Sequence, residues 1–182
     1  MEDQINSIYG DFPALPSEYI EPRWYAVHTC PRHEKRVREH FEERGIEAFL
    51  PTYPAVHRWK DRRVQLELPL FPGYVFVRVA LNNRLRVVQV PSVLRFVGFG
   101  NTPAPIPNGE LESLRGGLKD GVSAEPCPYL KLGDRVRIKS GPLQGAEGFL
   151  IRKKNAFRVV LSIDLIMQSV AVEVEIENVQ AT

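Results

Sequence analysis

Cysteine, methionine and tryptophan are scarce in this chain of 182 residues, two of each. Cys30 and Cys127 lie far apart, with no CxxC or Cys/His ligand spacing. That excludes a disulfide-stapled scaffold and a structural zinc site, and reads as reduced thiols in a cytoplasmic protein. Long hydrophobic runs are missing too. The longest apolar stretch, Pro69 to Leu81, is broken by Pro72, Gly73 and Arg78 and falls short of the roughly 18–20 residues a membrane helix needs. The opening MEDQINSIYG is acidic and has no apolar centre, so no signal peptide is expected. The usual catalytic signatures are also absent: no GxSxG, HExxH, GxGxxG or Walker loop occurs, and neither cysteine has a placed histidine and acid. The four histidines are His28, His33, His40 and His57. His33 and His40 fall two turns apart on one expected helix and read as surface or DNA-facing side chains rather than metal ligands. No cluster of acids suits a metal-dependent nuclease. These absences argue against an enzyme and against a bound metal or cofactor.

What is present is ordinary in bulk and uneven in layout. Hydrophobic residues make up 43% and charged residues 25%, values of a chain that folds, with room for one medium or two small domains. The net charge is only +2, yet residues 1–22 carry −5, residues 23–119 carry +7 and residues 120–182 carry none. A basic block of that kind points to a polyanionic partner.

Local patterns divide the chain. Residues 1–22, with Pro13, Pro16 and Pro22, read as an irregular acidic extension. Trp24 to His28 is a short strand, and Pro31 to Arg44 a helix that buries Val37 and Phe41, opens on Pro31 and ends at Gly45. Glu47 to Val56 and Val64 to Leu70 read as strands of a hairpin, and Gly73 to Val79 as another strand. Leu81 to Val90 could form a short helix and Val93 to Phe96 a strand. Asn108 to Lys119 is a helix capped by Asn108, with Leu111, Leu114 and Leu118 inward. The result is an α+β sandwich on an antiparallel sheet. Asp120 to Tyr129 reads as a flexible linker. Arg135–Lys139, Glu147–Arg152, Phe157–Ile163 and Val170–Ile176 are short strands of a small β-barrel over residues 130–182.

Three constellations stand out, each with a plain alternative. Arg32, Lys35 and Arg36 open the first long helix, the unfavourable end for cations by about 0.3–1 kcal/mol each. They suit a phosphate backbone, or they are a solvated face. Arg58, Lys60, Arg62 and Arg63 surround Trp59 at the hairpin tip, which suits backbone contact with stacking, or is simply an exposed hairpin. Val75, Val77 and Val79 fill one face of their strand while Tyr74 and Phe76 fill the other. Either a second helix covers those aromatics or they form a groove for a partner protein.

Trp24-Tyr25-Ala26-Val27, the run Pro69-Leu70-Phe71-Pro72-Gly73-Tyr74-Val75-Phe76-Val77, Val93 through Gly100 and Pro103-Ala104-Pro105-Ile106 resemble the N-terminal (NGN) domain of the NusG family of transcription factors. Gly133 through Ile138, then Gly141-Pro142-Leu143-Gln144-Gly145 and Gly148, resemble that family's KOW motif, an SH3-like barrel. The resemblance runs from about Arg23 to Val179. It implies a cytoplasmic, monomeric elongation and antitermination factor that binds the RNA polymerase clamp through Phe71, Tyr74, Phe76 and Phe99. It further implies that Arg32, His33, Arg36 and His40, with Lys35, face the non-template DNA strand, and that Asn83, Arg84 and Leu85 face the polymerase gate loop. The barrel of the family recruits Rho or a ribosomal protein through a loop that here is Leu165-Ile166-Met167-Gln168. That loop lacks the family's Gly-Arg, which favours a specialised paralogue of the RfaH, UpxY or LoaP kind over a housekeeping factor that couples polymerase to Rho or the ribosome. A ribosome-associated RNA-binding module is the reading of another class, and it leaves the Tyr74/Phe76 face unexplained.

Overall fold

Trp24 and Tyr25 are adjacent and both buried, which places opposite sides of one strand in two different cores. That strand is β1 (Arg23–Thr29), in a computed structural model that describes residues 16–58, 63–127, 129, 133–153 and 156–182. A short helix α1 (Ser17–Ile20) precedes it. It is followed by α2 (Glu34–Glu43), β2 (Glu47–Phe49), β3 (Thr52–Arg58), β4 (Arg63–Pro69), β5 (Tyr74–Val79), α3 (Arg84–Val88) and β6 (Val93–Phe96). Strands β7 (Gly98–Phe99), β8 (Thr102–Pro103) and β9 (Pro105–Ile106) lead into α4 (Asn108–Lys119). The sheet is antiparallel in the order β2-β5-β1-β6, with β9 also on β1, and Val27 faces Val75 across the β1–β5 pair.

Both faces of this sheet are covered. Tyr25, Val27, Val75 and Val77 pack with Val37 and Phe41 of α2 and with Val87 of α3. Trp24, Ala26 and Phe76 pack with Leu111 and Leu114 of α4. The doubled apolar pattern of β5 is therefore answered by a second helix. Glu112 of α4 accepts a hydrogen bond from Trp24 Nε1 at 2.8 Å, and Arg115 lies over the indole while pairing with Glu47 at 2.7 Å.

Several expectations are corrected. The segment expected as one strand from Glu47 to Val56 is two, because Pro51 has no N–H to continue the ladder and instead accepts from Leu70 N at 2.8 Å. The hairpin β3–β4 is thus a separate two-stranded sheet. The first long helix begins at Glu34, not Pro31, since Arg32 takes a left-handed φ of 65°. Asn108 is the first residue of α4 rather than its cap, which is Pro107. Within the described part of the acidic extension, α1 is helical, and Tyr19 packs against the core.

The expected linker contains a strand, β10 (Ala124–Cys127). The strands beyond it are β11 (Asp134–Ile138), β12 (Glu147–Lys153), β13 (Ala156–Ile163), β14 (Gln168–Val174) and β15 (Val179–Ala181). β10 pairs with β14 at the edge of an antiparallel sheet in the order β10-β14-β13-β12-β11-β15. Pro126 is tolerated there because an edge strand need not donate on both sides. Arg158 fastens that edge, donating to Glu125 at 2.8 Å and Glu173 at 2.6 Å. Among the KOW-like glycines, Gly148 sits within β12 where a β-carbon would collide with the Val160 carbonyl.

The two units touch. The apolar cluster beneath α4 runs on into Leu143, Leu161, Ile163 and Val170 of the barrel, and Gln168 Nε2 donates to Pro72 O at 3.3 Å.

Candidate interaction surfaces

The start of α2 is built around one buried carboxylate. Glu34 is 5% exposed and its Oε1 accepts from Gly73 N at 2.8 Å, which ties the helix start to the turn before β5. Gly73 has φ 85°, a conformation glycine adopts without strain. Around this anchor Arg32, His33, Lys35 and Arg36 are exposed. Among the described residues, no ion pair engages Arg32, Lys35 or Arg36, whereas Arg38 pairs with Glu42 and His40 with Glu43. Ser92, also left-handed at φ 70°, holds the approach to the helix: its Oγ lies 2.7 Å from His33 Nδ1 and its carbonyl accepts from Cys30 N at 2.9 Å. Sequence patterns gave no sign of Ser92, because nothing in its neighbours marks a left-handed position. Of the hairpin-tip cations, Arg63 is exposed, while the Arg58 side chain, Trp59, Lys60 and Arg62 lie outside the described residues.

The four aromatic residues expected in one depression divide. Phe99 is 80% exposed on the β7–β8 hairpin, and Tyr74 is half-buried, its ring stacked on His28 with centroids 5.2 Å apart. Phe71 and Phe76 are instead core residues, 1% and 0% exposed, in edge-to-face contact at 5.5 Å. Alternation placed Phe76 correctly on the second face, but α4 and the barrel cover that face. Asn83, Arg84 and Leu85 are exposed at the start of α3, with Leu85 at 61%. In the barrel loop Ile166 is buried, Leu165 and Gln168 are half-buried, and Met167 projects at 68% exposure with a left-handed backbone.

No group of three or more His, Cys, Asp or Glu is placed to hold a metal ion among the described residues, and none of their helices is long and apolar enough to cross a membrane. The surfaces this architecture presents are the exposed cations at the start of α2, the exposed Phe99 and the projecting Met167. The family model described as transcription termination factor NusG matches residues 22–115, just over half the chain, and the chain belongs to the NusG family. The transcription termination/antitermination protein NusG of Vibrio vulnificus is 29% identical over 178 residues, covering 90% of this chain and 98% of the relative. Its namesake from Escherichia coli O6:H1 gives the same identity and coverage. A solved structure titled "Domain interaction in Thermotoga maritima NusG" aligns with a TM-score of 0.53 and 25% identity over 90% of this chain and 98% of that one. The chain is accordingly a NusG-like transcription termination/antitermination factor and not an enzyme, from a family that acts with RNA polymerase.

Proposed function

We propose that the chain is a bacterial elongation and antitermination factor that binds RNA polymerase at the clamp, suppresses pausing or termination, and tethers a second partner through its barrel. The observation that carries the reading is the position of the family match, which falls on the unit with exposed Phe99, half-buried Tyr74 and the exposed cations at the start of α2. In this reading Tyr74 and Phe99 meet the clamp while Phe71 and Phe76 support them from within. Arg32, His33, Lys35, Arg36 and His40 face the non-template strand, and Asn83, Arg84 and Leu85 the gate loop. The ribosome-associated alternative accounts for the barrel but not for the match over residues 22–115.

Reversing Arg32, Lys35 and Arg36 to Glu is expected to weaken binding to elongation complexes and to flatten its salt dependence. The slope of log affinity on log salt should shrink by about 0.7–0.9 for each phosphate that is no longer neutralised. An unchanged slope would return these cations to a merely solvated face.

The barrel loop Leu165-Ile166-Met167-Gln168 has no Gly-Arg, which supports a specialised role over Rho coupling. The names of the relatives support the housekeeping alternative. Rho-dependent termination on a defined template separates them: stimulation by this protein identifies the housekeeping factor, and no effect or protection identifies the specialised one.

A further inference from the structure

Two left-handed residues frame the start of α2 and differ in what their side chains do. Arg32, at φ 65°, is exposed to solvent, whereas half-buried Ser92, at φ 70°, brings its hydroxyl to 2.7 Å from His33 Nδ1. A residue with a β-carbon adopts this conformation at a cost that glycine escapes, so the turn alone gives no reason for a serine. The turn is held by the main chain: the Ser92 carbonyl accepts from Cys30 N at 2.9 Å, a bond that does not need the side chain. The hydroxyl is left over for His33.

His33 is exposed, stands at the N-cap of α2 and makes no side-chain cap bond, so its ring plays no part in holding the helix. A neutral imidazole carries one N–H and one lone pair, and the bond made at one nitrogen decides what the other presents. Among the described residues, the Ser92 hydroxyl has no acceptor other than this ring. Donating its proton to Nδ1 leaves the ring N–H on Nε2, on the side away from Ser92. Arg32, Lys35 and Arg36, exposed beside it, offer donors only. With Nε2–H outward, all four side chains present donors, the pattern that a phosphate backbone accepts. The other tautomer would set a lone pair among them.

We propose that Ser92 is a positioning residue for this surface: its hydroxyl fixes His33 in the Nε2–H tautomer, so that the ring donates to a nucleic-acid phosphate. The use of that donor rests on the nucleic-acid reading above; the tautomer itself does not. The ring acts as a neutral donor, so it adds affinity without releasing a counterion and leaves the salt dependence to the three cations.

Ser92→Gly is the variant to use, because it keeps the left-handed turn and the Cys30 bond and removes only the hydroxyl. Two-bond proton–nitrogen correlation spectra of the full chain read the tautomer without polymerase or DNA, once raising the pH no longer shifts the His33 nitrogens. The wild type should carry the proton on Nε2, and Ser92→Gly should move towards a mixture of both forms with thermal unfolding unimpaired. A proton on Nδ1 in the wild type, or the same spectrum in both proteins, would overturn the proposal. Affinity for assembled elongation complexes is measured at the same pH. Ser92→Gly should weaken it about two- to tenfold, the worth of one ordinary hydrogen bond, with an unchanged slope on salt. In a His33→Ala background the same substitution should have no further effect, since it acts only through the ring. A loss that persists in that background would make Ser92 a structural residue, and a flattened slope would make His33 a cation; either overturns the proposal. If reversing Arg32, Lys35 and Arg36 weakens binding while Ser92→Gly does not, the proposal falls and the nucleic-acid reading stands. If neither weakens it, the reading falls and takes the phosphate contact with it.

Discussion

Phe76→Ala should lower the stability of the N-terminal unit by roughly 3–5 kcal/mol, the range for emptying a buried aromatic site. The ring is 0% exposed and lies between Phe49 at 6.4 Å and Phe71 at 5.5 Å. Domains of this size hold only about 5–15 kcal/mol in reserve, so the loss would take up a large part of it and leave the core easily unfolded. Loss of polymerase binding in this variant would then report a collapsed core. The informative partner is Phe99→Ala. Its ring is 80% exposed, so stability should move by less than about 0.5 kcal/mol. On the clamp reading, polymerase affinity should still fall about tenfold, or about 1.4 kcal/mol. Urea unfolding of both variants beside their polymerase affinities checks the pair. A stable Phe76→Ala variant would show that α4 does not seal the face as described.

The second large effect concerns Glu34. Truncation to Ala removes the acceptor of Gly73 N–H and a charged-group hydrogen bond inside a nearly closed site, at a cost of about 1–3 kcal/mol. Glu34→Gln keeps an oxygen acceptor in place and should lose less. Because this bond joins the start of α2 to the turn ahead of Tyr74, Glu34→Ala should also weaken both proposed contacts, to nucleic acid and to the clamp. Thermal unfolding, with binding measured at a temperature where the variant remains folded, separates the two effects. Equal stability of the Ala and Gln variants would show that the carboxylate is not the anchor.

Periodicity was informative wherever one element covered one face. Val37 and Phe41, four residues apart, are buried as expected, and so are Leu111 and Leu114. The alternation of Val75, Phe76 and Val77 revealed two apolar faces, but not what covers the second. That depends on α4 and the barrel, far along the chain, and no local pattern encodes it. Two local signals misled. The lack of periodicity over residues 120–129 suggested a linker where an edge strand forms, and Pro31 suggested a helix start where the backbone first turns through Arg32. The cations of α2 were legible as a group. Their framing was not, because Ser92 and Gly73 reach the helix start from distant segments.

The most direct test is transcription by purified RNA polymerase on a template with defined pause and termination sites, with and without this protein. Shortened pauses and greater read-through, needing about tenfold more protein in Phe99→Ala and reduced in the Arg32/Lys35/Arg36 charge reversal, are the results expected. Identical product distributions at saturating protein, together with no retention of polymerase on the immobilised chain, would contradict the account.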